Sequence, residues 1–99
     1  MIRPSYVYMM TNKPGGTLYT GVTADLLKRV FQHRTGAVRG FTKRYNLKIL
    51  VFFEKHDHIR DAIVRERQVK EWKRAWKVRL IEESNPEWRD LYPGIASTY

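Results

Sequence analysis

Apolar and polar positions change their period several times along the chain, and each change marks an element. Tyr6 to Met10 is a run of aromatic and apolar residues and predicts a strand. Asn12-Lys13-Pro14-Gly15-Gly16 predicts a turn, because proline presets φ and glycine accepts positive φ. Thr17 to Val22 predicts a second strand, joined to the first as a hairpin with a loop of about five residues. Thr23 or Asp25 can then cap a helix, since a short side-chain oxygen satisfies the free amides at its start. Leu26, Leu27, Val30 and Phe31 recur at helical spacing, and Gly36 and Gly40 end the helix in a basic loop. Leu47 to Glu54 is a nearly continuous apolar run and predicts a strand covered on both faces. Asp57 can cap the next helix, through Ile59, Ala62, Ile63 and Val69 towards Trp72 and Trp76. Residues 72–83 continue that helix or form another, and Asn85-Pro86 stops it. The order β-β-α-β-α-α is that of a mixed α/β (α+β) domain with a small sheet.

Length and composition narrow the classes of function. The chain has 99 residues, which is one domain over 1–99 with room for a core but not for a second one. Hydrophobic residues make up 42%, so the chain is not compositionally disordered. The longest apolar run, Ile49 to Phe53, is far short of the roughly 20 residues of a membrane helix. Met1-Ile2-Arg3-Pro4 carries no apolar signal region, and there is no cysteine. A cytoplasmic location without a membrane partner is therefore expected. A disulfide framework, a cysteine-type zinc site and a cysteine nucleophile are excluded.

Charge supplies the first positive clue. Lys and Arg number 19 against 10 acidic residues, a net +9. The excess is concentrated: residues 1–79 carry 18 basic and 6 acidic side chains, whereas residues 80–99 carry one basic and 4 acidic ones. A basic body of this size concentrates polyanions, and nucleic acid is the expected partner.

Several side chains in this frame can carry chemistry. Ile59, Ala62, Ile63 and Glu66 share one helix face, so a carboxylate lies on or beside the stripe that packs on the sheet. A carboxylate there needs a compensating cation or donors. An ion pair with a neighbouring Arg would serve, and so would a hard metal such as Mg²⁺, which takes one or two carboxylates plus water and substrate phosphate. Arg29 and His33 are four apart and project from one side of the first helix, beside its apolar stripe. An Arg there can hold a phosphate and a His can move a proton; a solvated flank is the ordinary alternative. Tyr6, Tyr8 and Tyr19 lie on the hairpin, as ordinary strand residues or as phenols that orient or deprotonate a water. His56 and His58 read as surface residues, and Trp72, Trp76 and Trp88 as packing. Arg34, Arg39, Lys43 and Arg44 in the basic loop, and Arg65, Lys70, Lys73 and Arg74 on the later helices, are candidates for phosphate contact.

Together these features resemble the GIY-YIG nuclease family. The two signature triplets fall on Tyr6-Val7-Tyr8 and Tyr19-Thr20-Gly21. Arg29 follows Tyr19 by ten residues, His33 follows Arg29 by four, and Glu66 lies on the later helix. Leu18 to Thr23, Gly40-Phe41-Thr42-Lys43-Arg44-Tyr45, Arg65 to Lys73 and Asn85-Pro86-Glu87-Trp88 look more specifically like the small stand-alone bacterial members. The resemblance covers roughly residues 5–91, with an acidic tail after it. Tyr6 stands in place of the glycine of the first triplet, and Thr20 in place of the isoleucine of the second.

The resemblance implies a three-stranded antiparallel sheet flanked by helices. It implies hydrolysis of DNA phosphodiesters with one divalent ion, Mg²⁺ or Mn²⁺. By the same resemblance Glu66 is the metal ligand, and Tyr8 and Tyr19 orient or activate the water. Arg29 stabilises charge on the phosphate, and His33 assists proton transfer or contacts the phosphate. Gly21 lets the chain pass close to substrate. A structure-directed or weakly specific endonuclease of DNA repair or recombination is the expectation, with a protein partner as one means of targeting. The alternatives are a non-catalytic nucleic-acid-binding module, or an interaction domain using Trp72, Trp76 and the acidic tail to bind a partner nuclease. The hairpin register, and with it whether Tyr8 and Tyr19 share a face, is left open by the sequence.

Overall fold

The computed structural model describes residues 4–97, so Met1-Ile2-Arg3 and the last two residues of the expected domain lie outside it. Three strands form one antiparallel sheet: β1 Ser5–Thr11, β2 Leu18–Thr23 and β3 Ile49–His56. Their order is β2-β1-β3, with the first strand of the sequence in the centre. Five helices surround them: α1 Leu26–Thr35, α2 Phe41–Arg44, α3 Ile59–Glu71, α4 Arg74–Ser84 and α5 Tyr92–Ala96. The three-stranded antiparallel sheet flanked by helices is thus present. α2 and α5 are additions: the first lies in the stretch expected to be a basic loop, the second in the expected acidic tail.

Two cores cover the two faces of the sheet. Alternation along β1 sends Tyr8 and Met10 to one side, where they meet Leu26 and Val30 of α1, Leu47 and Leu50. It sends Met9 to the other, where it meets Val51, Phe52, Val69 of α3, Ile81 of α4 and Trp88. A bulge makes this possible. Met9 pairs with Phe52 but Met10 pairs with Leu50, so Val51 is the extra residue. It lets Val51 and Phe52 face the same core and returns Phe53 to the Tyr8 side, where it meets the Tyr6 ring. The continuous apolar run of β3 has its explanation here, in coverage on both faces of an antiparallel sheet.

The helix termini follow local chemistry. Asp25 caps α1, accepting from the Lys28 amide at 3.1 Å, while the Thr23 hydroxyl accepts from the Asp25 amide at 3.0 Å. Gly36 ends α1 at φ 75°, a left-handed conformation that costs glycine little. Asp57 does not cap α3; His58 occupies that position, without a side-chain bond. Trp72 and Lys73 are extended, which separates α3 from α4. Asn85 follows α4 and is buried, giving its amide hydrogens to Val51 O and Arg89 O and accepting from the Arg89 amide.

Two helix faces sit differently from the expected stripes. Phe31 is 55% exposed, and the buried line of α1 is Leu26, Val30 and His33. Ile59 is exposed as well; Ala62 and Val69 face the core, with Glu66 between them. The acidic stretch is part of the fold rather than an appendage. Asp90 accepts from Arg34 at 2.6 Å and from the Leu50 amide at 3.2 Å, and Leu91, Tyr92 and Ile95 pack on the first core.

Candidate active site

The hairpin register answers the question of faces. Tyr8 pairs with Gly21 and Met10 pairs with Tyr19. Directly opposed residues of an antiparallel pair share a face, so both tyrosines project to the same side. Their ring centroids are 6.2 Å apart. Gly21 is required for this arrangement: a Cβ there would lie 2.6 Å from Tyr8 Cζ and Oη and 2.9 Å from Tyr19 Cε2. The close approach at Gly21 is by these two phenols, a different neighbour from the substrate expected there.

Leu26 and Val30 lay α1 on that same face, and the next turn delivers His33 into the core. His33 is only 3% exposed, so it is not the solvated flank that its spacing alone allowed. Its Nε2 lies 2.9 Å from Tyr8 Oη, and its Nδ1 lies 2.9 Å from Thr42 Oγ1. The ring stands 5.7 Å from that of Tyr8 and 5.6 Å from that of Tyr19. Burial, aided by the positive charge of Arg29, pulls the His33 pKa from 6.5 down to about 4. The imidazole is therefore neutral at pH 7. It donates from one nitrogen and accepts at the other, which makes Tyr8–His33–Thr42 a connected proton path.

Tyr8 is buried too, and its phenol is raised well above the ordinary value. Burial is the main cause and the Tyr19 charge adds to it, while the charge and hydrogen bond of Arg29 oppose them. Tyr8 thus keeps its proton at neutral pH. Tyr19 and Arg29 are half-buried and have contact with solvent. Tyr8, Tyr19, Arg29 and His33 are brought together in one cluster.

Glu66 is carried by α3. α3 packs beneath β1 and β2 on the face opposite the tyrosines, because its Val69 belongs to the core that contains Met9. The Glu66 side chain is 12% exposed and pairs with Lys70 at 3.1 Å, one turn along. The donor chemistry there is one carboxylate with limited access to solvent. Among the described residues no group of three or more His, Cys, Asp or Glu converges. A lone carboxylate fits a hard ion that completes its shell with water and phosphate, as Mg²⁺ does, and does not fit a site that must be built from several protein ligands.

The eight basic candidates divide by what they touch. Arg34 bonds Asp90 and the Lys48 carbonyl and lies 4.7 Å over the Tyr92 ring, so it fastens α1 to α5. Arg65 grips Glu54 with Nε at 3.0 Å and Nη2 at 3.2 Å and covers Trp72. Burial favours the neutral form of Glu54, but hydrogen bonds from Arg65 and His56 outweigh it and hold the carboxyl below its usual range. Arg74 donates to the carbonyls of Gly15 and Gly16 at 2.8 and 2.7 Å and closes the hairpin loop. These three guanidinium groups are committed to the fold rather than displayed for phosphate. Lys70 is paired with Glu66, while Arg39, Lys43, Arg44 and Lys73 are exposed.

Thr42 was not singled out as a site residue. It is buried at 3% and closes the hydrogen-bond path behind His33. Its signal in the sequence is its place in Gly40-Phe41-Thr42-Lys43-Arg44-Tyr45, one of the segments that carry the family resemblance. Nothing in local spacing ties it to a histidine nine residues earlier.

Comparison with known proteins shows the family and the fold. A family model of the GIY-YIG catalytic domain matches residues 4–79. A UPF0213 protein of Staphylococcus saprophyticus is 36% identical over 78 residues, covering 79% of this chain and 94% of its own length. A UPF0213 protein of Syntrophus aciditrophicus is 37% identical over 84 residues, covering 84% and 94%. The solution NMR structure of a UPF0213 protein from Bacillus halodurans matches with a TM-score of 0.54 at 25% identity, covering 88% of this chain and 92% of the other.

Proposed function

Since the chain belongs to the GIY-YIG catalytic-domain family, a nuclease family, we propose that it is a metal-dependent DNA endonuclease that reads phosphate and shape more than sequence. The observation that carries this reading is the buried bond between Tyr8 and His33 inside a cluster that also holds Tyr19 and Arg29. Burying a phenol and an imidazole together beside a half-buried guanidinium has little use in a domain that only needs to pack.

The roles follow from the environment of each group. Tyr8 holds its proton and orients neighbours through Oη, since burial disfavours its phenolate. Tyr19, half-exposed on the same face, is the phenol that meets the attacking water. His33, neutral and hydrogen-bonded at both nitrogens, assists proton transfer by fixing the direction of the Tyr8 hydroxyl. Arg29 stabilises negative charge gathering on the phosphate oxygens. Glu66 would hold the divalent cation, which when bound supplies electrostatic stabilisation of the phosphate in the transition state. Lys70 must release Glu66 for that to happen. β2 is at the edge of the sheet, so a DNA backbone running along that edge can meet the half-exposed Tyr19.

Nicking of supercoiled, branched and single-stranded DNA with Mg²⁺ or Mn²⁺ tests the reading, with wild type compared to Glu66→Gln. Metal-dependent cutting that disappears in Glu66→Gln with binding retained is the expected result. Cutting that survives the substitution would refute the metal role of Glu66.

The Lys70–Glu66 pair favours a second reading, in which Glu66 is balanced by its own helix and the domain binds nucleic acid without cutting it. Tight, salt-sensitive binding with no nicking by wild type selects that reading.

A further inference from the structure

We propose that Phe41 and Tyr45 form a stacking platform for an unpaired nucleobase beside the reacting phosphate, and that DNA with single-stranded character is the preferred substrate. The proposal rests on the nuclease reading for its ligand, but not for its test.

Three observations converge on it. The first is exposure. Phe41 is 45% and Tyr45 44% exposed, with ring centroids 4.7 Å apart. Single exposed aromatics are ordinary, but an adjacent pair, here tilted by 46°, is an apolar step that water covers poorly.

The second is continuity with the site. The Phe41 ring lies nearly parallel to that of Tyr19, 28° at 6.4 Å, and Tyr19 in turn touches Tyr8 and His33. Phe41, Thr42 and Tyr45 all come from α2 and its end. Thr42 points inward to His33 while Phe41 and Tyr45 face outward. The helix turn that completes the proton path therefore also presents the rings, at a fixed offset from the tyrosines.

The third is charge. Arg44 lies 5.5 Å over the Tyr45 ring, and Arg39 and Lys43 are exposed in the same segment. Aromatic faces interleaved with cations match a chain that alternates flat bases with phosphates, and only unpaired bases offer free faces. Among the described residues Phe31, Phe53 and Trp76 are also exposed aromatics; Trp76 lines a hollow with Trp72, Arg79, Leu80 and Glu83, where a carboxylate opposes phosphate.

The test reads binding with EDTA present, so that cutting plays no part. Fluorescence anisotropy compares a labelled single-stranded oligonucleotide with a hairpin duplex of the same length, across a salt series. Phe41→Leu and Tyr45→Leu should each weaken single-strand binding by about tenfold and duplex binding by less than about twofold. Their salt slopes should stay at the wild-type value, since a ring releases no counterion. Lys43→Gln with Arg44→Gln should instead reduce the slope by about 1.4. Urea midpoints of the leucine variants establish that they are folded. Equal losses on both DNAs, no loss on either, or a wild type that prefers duplex would each overturn the platform. Wild-type nicking, assayed separately, decides the nuclease reading. No nicking with ring-dependent single-strand binding would remove the nuclease and keep the platform, whereas nicking by wild type with single-strand binding unchanged in the ring variants would do the reverse.

Discussion

Tyr8 Oη and His33 Nε2 lie 2.9 Å apart across 25 residues of sequence, inside the core and not on its surface. This bond joins the central strand to α1, and burial is the main reason that both partners are neutral. Its consequence for pH can be worked out in sign and size. The folded pKa of His33, about 4, lies below the unfolded value of 6.5. Between those values the unfolded chain binds the extra proton, so stability is fully present above about pH 6.5 and is lost as pH falls towards 4. Wild type should lose about 2 kcal/mol more than His33→Gln between pH 7 and pH 5. Chemical denaturation at the two pH values measures this, and parallel losses would remove the buried neutral histidine. Cleavage for its part should show no step near pH 6.5.

Gly21→Ala tests the packing of the two phenols. The new methyl would meet Tyr8 at 2.6 Å, and Tyr8 cannot swing away while it is bonded to His33. A destabilisation of about 1–3 kcal/mol is expected, with displaced aromatic resonances for Tyr8 and Tyr19. An unchanged urea midpoint would show that the hairpin has slack at this position.

Thr42→Val removes the hydroxyl that pairs with His33 Nδ1 and keeps the shape. It should cost about 1–3 kcal/mol, because the buried imidazole is left with one nitrogen unpartnered. Thr42→Ser keeps the hydroxyl, and with it the His33 resonance positions and most of the nicking rate, while Thr42→Val shifts the first and lowers the second. Two variants of equal activity and equal histidine spectrum would reduce Thr42 to packing.

Arg34 and Asp90 are expected to act on stability and not on DNA. Asp90 also accepts from the Leu50 and Tyr92 amides, so Asp90→Ala releases α5 from β3 and α1 together. The groups are partly exposed, which limits the loss to about 1–2 kcal/mol. Hydrogen exchange should quicken in residues 91–96 before the rest of the chain. Arg34→Gln should leave the salt slope of DNA binding at its wild-type value; a drop of about one would return Arg34 to the phosphate-contacting set.

The residues of the active cluster were legible because each was marked by a local signal. Tyr8 and Tyr19 stood on a hairpin, Arg29 and His33 at helical spacing, and Glu66 among apolar neighbours. The helix faces were legible only to within about one turn. Phe31 and Ile59 are as apolar as their neighbours, yet the sheet takes Val30 and Ala62 instead. Among the cations, Arg34, Arg65 and Arg74 could not be told from Lys43 and Arg44, since their partners Asp90, Glu54 and Gly15 lie 56, 11 and 59 residues away.

By itself the sequence determined the three strands, the longer helices, the hairpin, the basic body and the family, because these rest on spacings within a few residues. Tertiary structure alone decided the shared face of Tyr8 and Tyr19, the burial of His33 against Thr42 and the packing of α3 against the opposite face. Each depends on the strand register, on the bulge at Val51 that feeds two residues to one core, or on the face on which a helix lands. Those are choices among packings of nearly equal local cost, settled only when both cores close on one central strand.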